Sequence, residues 1–203
     1  MFVWIFTAIW MFSLPLTAGT ALQRLMDGNQ RYVNDALQHP NRTSERREAL
    51  ASKQAPFAVI VGCSDSRVSP EILFDQGLGD LFVVRVAGNV IGSIELDSID
   101  YAALVLKSSV ILVLGHESCG AVEAVLQGNT AGMESIARLI YPAIEAEKKE
   151  KTHNLLDSCV KKNAQNMKEY LMKTSILKKL VAEGKLEIRA AYYDLQTGKV
   201  ELL

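Results

Sequence analysis

The chain has 203 residues, of which 49% are hydrophobic and 22% charged; 22 basic and 23 acidic side chains leave a formal net charge of −1. That length suits one domain able to bury ~70% of its unfolded surface, and the composition excludes a disordered chain and gives no support to a general nucleic-acid binder. Three cysteines, Cys63, Cys119 and Cys159, cannot all pair within one chain and so form no disulfide framework.

Residues 1 to 23 carry no charged side chain. The apolar run Phe2 to Leu16 has the length of a signal-peptide core and is short for a membrane span. Pro15 and the small residues Thr17, Ala18 and Gly19 read as a cleavage region, although there is no basic stretch before the run and no A-x-A motif. Residues 1–20 are therefore expected to be a signal peptide or membrane anchor, and residues 21–203 a single domain. Export is the expected fate, with a membrane-anchored or cytoplasmic form as the alternative. Thr20-Ala-Leu-Gln23 reads as a capping box that opens a helix near Ala21.

That helix is expected over Ala21 to Ala36, followed by a charged surface helix over residues 44 to 53. Pro56 to Cys63 is a continuous apolar run and reads as a strand buried on both faces. Ser69-Pro70-Glu71 opens a helix. Asp80 to Ala87 reads as a second strand. Ser93 to Lys107 reads as an amphipathic helix with Ile94, Ile99, Ala103 and Leu106 on one side. Val110 to Gly115 is a third buried strand, and Ser118 is placed to cap a helix that runs to Gln127 and stops at Gly128. Residues 131 to 182 are helical in flavour, and their lysine runs read as solvated faces. Leu186 to Leu195 is a fourth strand, Thr197-Gly198 a turn, and Lys199 to Leu203 a short last strand. The alternation predicts an α/β fold: a mostly parallel central sheet flanked by helices, with a short antiparallel edge strand at the C-terminus.

Two stretches carry chemistry, Cys63-Ser-Asp65-Ser-Arg67 and His116-Glu-Ser-Cys119-Gly120. Each follows a buried strand, and ligands of open α/β sheets bind at the carboxyl ends of the strands. Cys63, His116 and Cys119 form a soft ligand set suited to Zn²⁺, and three protein ligands leave a fourth position open, as in catalytic sites. Zn²⁺ lowers the pKa of bound water to about 7 and so supplies hydroxide at neutral pH. Asp65 is a candidate fourth ligand. Arg67, two residues on, is placed to grip that carboxylate, hold it off the metal and aim it at the water. Taken singly, each residue has a plainer reading: a small apolar cysteine, a hydrogen-bonded histidine, an ordinary ion pair. Cys159 reads as buried or incidental, and His39 and His153 as surface residues. Cys63 and Arg67 lie too close for a phosphatase loop, and no C-x-x-C pair, P-loop, G-x-S-x-G elbow or dinucleotide fingerprint occurs.

The two stretches closely resemble the signatures of the β-class carbonic anhydrases, and the likeness extends over most of residues 21 to 203. Leu81-Phe-Val-Val-Arg-Val-Ala-Gly-Asn89 resembles the family's segment between its two motifs, and Tyr193-Asp-Leu-Gln-Thr-Gly198 resembles the end of its bacterial members. The resemblance implies a lyase that hydrates CO₂ reversibly to bicarbonate and a proton through zinc-bound hydroxide. It implies one Zn²⁺ per chain on Cys63, His116 and Cys119, and a catalytic dyad of Asp65 and Arg67. The family's open, plant-like sub-type lines its pocket with a glutamine, a phenylalanine and a tyrosine, whose places are held here by Gln54, Phe82 and Tyr101. The resemblance further implies a homodimer or higher homo-oligomer with pockets built partly by the partner chain. CO₂ and bicarbonate would be the small-molecule partners, with no nucleic acid, and a membrane only if residues 1–20 stay uncleaved. An exported form of a bacterial member would reside in the periplasm. Hydrolysis of carbonyl sulfide or carbon disulfide on the same scaffold, a zinc module without catalysis and a membrane-tethered interaction protein are the alternatives.

Overall fold

A computed structural model describes residues 17–150 and 153–203. Most of the stretch expected to be a signal peptide or anchor thus lies outside the described residues. No helix among the described residues is long and apolar enough to cross a membrane.

Helix α1 spans Ala18–Val33 and opens three residues earlier than expected. Its cap is Thr17, whose hydroxyl oxygen accepts from the Thr20 amide; Thr20 is inside the helix and donates its hydroxyl to the Thr17 carbonyl. Helix α2 is Ser44–Ala49, capped by Thr43. Strand β1, Ala58–Gly62, is wholly buried as its apolar run predicts. Helix α3 is a single turn, Pro70–Leu73, with Ser69 in the cap position but making no side-chain cap bond. Strand β2 is Leu81–Arg85 and helix α4 is Ser93–Leu104. Strand β3 is Val110–His116 and helix α5 is Gly120–Gln127. Its cap position is held by Cys119 rather than Ser118, and it stops at Gly128 in the left-handed conformation. Helices α6 (Glu134–Glu147), α7 (Leu155–Lys173) and α8 (Ser175–Ala182) fill the helical stretch, and strands β4 (Glu187–Tyr193) and β5 (Val200–Leu202) close the fold.

The strands form one sheet in the order β2-β1-β3-β4-β5, parallel throughout except for β5, which pairs antiparallel with β4. Alternate residues of β1 and β3 feed two cores, because strand side chains alternate between faces. Val59, Val61, Ile111 and Val113 pack under α4 to α8. Ala58, Ile60, Val110, Leu112 and Leu114 pack against α1, α3 and β5. The chain leaves β1 for β2 on one side and returns to β3 on the other. The sheet therefore reverses its winding between β1 and β3, which opens a crevice at their carboxyl ends.

The structure corrects the expected polarity of α4. Ile99 and Ala103 are buried, but Ile94 is 76% exposed and turns away from them, joined on the surface by Tyr101, Leu104 and Val105. The helix is thus apolar on its outer side as well. It lies beside β2, which is an edge strand and only half-buried rather than a central one.

Candidate metal centre

Cys63 follows β1, His116 ends β3 and Cys119 caps α5, so the crevice gathers all three. Their ligand atoms lie within 4.8 Å of one another, and all three side chains are buried. The His116 ring is held by its Nδ1, 2.9 Å from the Glu117 carbonyl. A carbonyl can only accept, so Nδ1 carries the proton and Nε2 presents a lone pair. That Nε2 is buried and has no hydrogen-bond partner, which in a dry interior is costly unless a cation occupies the space before it.

The two sulfurs tell the same story. The Cys119 thiol beside Cys63 holds the Cys63 thiol well below its usual range against the opposing effect of burial, and the Gly88 amide acts in the same direction. The same pairing, with burial, pushes Cys119 up, although the amides of Ala121 and Val122 at the start of α5 pull it down. A divalent cation bound between the two sulfurs would displace their protons. A buried Cys, His, Cys set with an unpartnered imidazole nitrogen fits Zn²⁺.

The Asp65 carboxylate stands at the mouth of this set, with Oδ2 3.9 Å from His116 Nε2, too far for a hydrogen bond. Arg67 grips it in a fork: Nε donates to Oδ1 at 2.9 Å and Nη2 to Oδ2 at 2.7 Å, while the Arg67 amide donates to Oδ1 at 2.9 Å. The Arg67 guanidinium keeps the Asp65 carboxyl well below the usual carboxylate range, against a partial opposing effect of burial. Arg67 Nη2 also donates to the Ser118 carbonyl at 3.2 Å and so ties the first loop to the second.

Sequence reasoning missed two further groups. Arg85, at the end of β2, donates from Nε to the Cys63 carbonyl at 3.0 Å and from Nη2 to the Asp65 carbonyl at 2.7 Å. It clamps the backbone that presents both side chains. The Gly88 amide donates to the Cys63 sulfur at 3.3 Å. Gly88 has φ +72°, and a Cβ there would meet Ile140 Cδ1 at 2.8 Å, so only glycine brings the amide this close. Both residues lie in the quoted Leu81 to Asn89 stretch, but nothing in their spacing announces the contact.

The three residues expected to line the pocket lie elsewhere in the chain's own fold. Phe82 is level with Val59 on β1, four residues before Cys63, or ~13 Å along the sheet at about 3.3 Å per residue. Tyr101 on α4 faces Phe82, with ring centroids 6.4 Å apart. Gln54 is exposed in the loop that leads into β1, at the end of the strand opposite Cys63. Cys159 is buried in α7, and His39 and His153 are exposed, as expected.

Residues 58–200 match a family model described as carbonic anhydrase. The chain is 40% identical over 196 residues to a carbonic anhydrase of Mycolicibacterium smegmatis, covering 94% of each. It is 39% identical over 195 residues to carbonic anhydrase 2 of Mycobacterium tuberculosis, covering 93% of this chain and 92% of that one. Its fold superposes on the β-carbonic anhydrase of Coccomyxa with a TM-score of 0.69 at 29% identity, covering 90% of this chain and 86% of the other. With the family matched over well over half its length, and with the buried Cys, His, Cys set where the sheet reverses, the chain belongs to the β-class carbonic anhydrases, enzymes that hydrate CO₂ reversibly to bicarbonate and a proton.

Proposed function

We propose that Cys63, His116 and Cys119 hold one Zn²⁺, that Asp65 and Arg67 act as the catalytic dyad, and that the working unit is a homodimer. The observation that carries this reading is the ion pair set at the mouth of a buried, cation-ready donor set. Zn²⁺ held there supplies hydroxide at neutral pH, since it acidifies water to a pKa of about 7.

The chain's own residues orient and deprotonate. Arg67 donates to both oxygens of Asp65, which gives the carboxylate a partner other than a metal and supports the open sub-type. Asp65, ionised and fixed, accepts a hydrogen bond or proton from a water in the space beside His116 Nε2. Arg85 and the Arg67 contact to Ser118 keep the two loops in register, so the acceptor does not drift from the reacting oxygen.

The dimer reading rests on the outer face of α4 and the neighbouring edge strand. Ile94, Tyr101, Leu104 and Val105 leave an apolar surface that a soluble chain covers by association. Gln54, Phe82 and Tyr101 lie away from their own chain's ligand set, which fits pocket walls contributed to a partner's centre. In that place Phe82 and Tyr101 would shelter CO₂, and Gln54 would donate to an oxygen of CO₂ or bicarbonate. Export to a periplasm through residues 1–20 remains part of this proposal, supported by their uncharged apolar run. Fractionation of cells making the full chain, with sequencing of the mature N-terminus, tests it.

Stopped-flow CO₂ hydration at about pH 8.5 tests the enzyme reading. Turnover that is lost with a chelator and restored by Zn²⁺ supports it. A folded, zinc-loaded protein without turnover would overturn it.

A further inference from the structure

The buried stripe of α7 runs Val160, Asn163, Ala164, Met167, Leu171 at helical spacing. One member is polar. Asn163 is fully buried, although asparagine is a weak helix former and a buried amide is costly unless hydrogen-bonded. It is only half satisfied: Nδ2 donates to the Gly88 carbonyl at 2.8 Å, while Oδ1 has no partner. An apolar side chain of the same volume would fill the place without an unpaired acceptor. Packing therefore does not account for asparagine here, whereas the bond to Gly88 does.

Gly88 carries two contacts on one Cα. Asn163 holds its carbonyl, and its own amide donates to the Cys63 sulfur. Glycine permits the φ of +72° that this needs, but it does not enforce it. The enforcement comes from α7, which packs very close to β3: a Cβ on Gly115, next to His116, would lie 2.9 Å from Val160 Cγ1 and 3.5 Å from Ala164 Cβ. The helix thus has little freedom to move, and Asn163 transmits its position to Gly88.

We propose that Asn163 is a positioning residue of the metal centre, fixing Gly88 so that its amide stays aimed at the Cys63 sulfur. The proposal rests on the reading of Cys63, His116 and Cys119 as ligands. An N–H directed at a ligating sulfur orients that ligand and draws electron density from it, as outer partners do at metal sites generally.

The test uses the full-length protein loaded with Co²⁺, whose sulfur-to-cobalt charge-transfer band reports on the thiolates. In Asn163→Leu the band moves to lower energy, and Co²⁺ affinity in competition with a chelator falls at least ~10-fold. Asn163→Ser, too short to reach Gly88, gives the same shift and serves if the leucine variant does not fold. Leu171→Ala loosens the same helix about two turns away and leaves the band in place. Asn163 variants with the wild-type band and affinity would overturn the positioning role while the ligand assignment stands. A Leu171→Ala band that moves equally would overturn it too, since the effect would then belong to the helix. A wild-type protein that shows no thiolate band with Co²⁺ would remove the ligand assignment itself, and the proposal with it.

Discussion

Arg67 holds Asp65 by two parallel hydrogen bonds, Nε to Oδ1 at 2.9 Å and Nη2 to Oδ2 at 2.7 Å, and turns it to within 3.9 Å of His116 Nε2. The carboxylate is therefore close to the ligand set while its oxygens are committed to the guanidinium. A bidentate fork fixes direction as well as charge. Lysine in place of Arg67 would supply the charge without the direction.

The dyad can be separated from the metal. Asp65→Ala should retain zinc and lower kcat by about 10²-fold or more, the usual contribution of a positioned acid or base. Zinc content by atomic absorption beside stopped-flow turnover checks this. Full activity in that variant would remove Asp65 from the mechanism.

Cys119→Ala should behave in the opposite way. Removing one ligand of three should leave the purified protein with little zinc. A chelator should lower the thermal midpoint of the wild-type protein and leave that of the variant nearly unchanged, because only the former has bound metal to lose.

Gly88→Ala should destabilise the fold by about 1–3 kcal/mol, the cost of holding a non-glycine residue at positive φ, with the contact to Ile140 adding to it. Urea denaturation measures the change. A variant as stable as the wild type would show that the segment relaxes without strain.

Acid stability should depend on Asp75. This carboxylate is buried; that burial is outweighed by the amides of Gln38 and His39 and by Arg31, so its pKa is lowered overall. A folded pKa below the unfolded one adds stability that is present above about pH 4 and lost as pH falls through the folded value. Asp75→Asn should therefore be less stable at pH 7 and lose less on going from pH 6 to pH 3, as read from urea midpoints of the metal-free protein. Equal losses in both proteins would contradict the assignment.

The exposed face of α4 should be an interface. Leu104→Glu with Val105→Glu places two charges in it and should shift the mass seen by light scattering from a dimer to a monomer, with CO₂ hydration falling in parallel. A variant that keeps its mass and its turnover would place the dimer contact elsewhere.

The sequence by itself determined the mainly parallel sheet and singled out the Cys, His, Cys donor set and the Asp65–Arg67 pair that the fold brings together. Each of those signals is local. Cys63, Asp65 and Arg67 lie within five residues, His116 and Cys119 within four, and both groups follow apolar runs that only a buried strand explains. Helix ends were less legible, because Thr17 and Thr20 are equally good caps as residues, and the difference lies in which one the backbone leaves extended. Other features belong to the tertiary structure alone. Arg85 reaches the Cys63 carbonyl across 22 positions and Asn163 reaches Gly88 across 75, and no pattern in the chain encodes a contact of that span. Ile94 lies about 140° around α4 from Ile99 and on the side opposite Ala103, so the helical period itself turns it outward, and among the described residues it stays 76% exposed beside the edge strand β2. Residue type and spacing decide which chemistry can assemble. The packing of elements distant in sequence decides which side chains orient it and which surface is left for another chain.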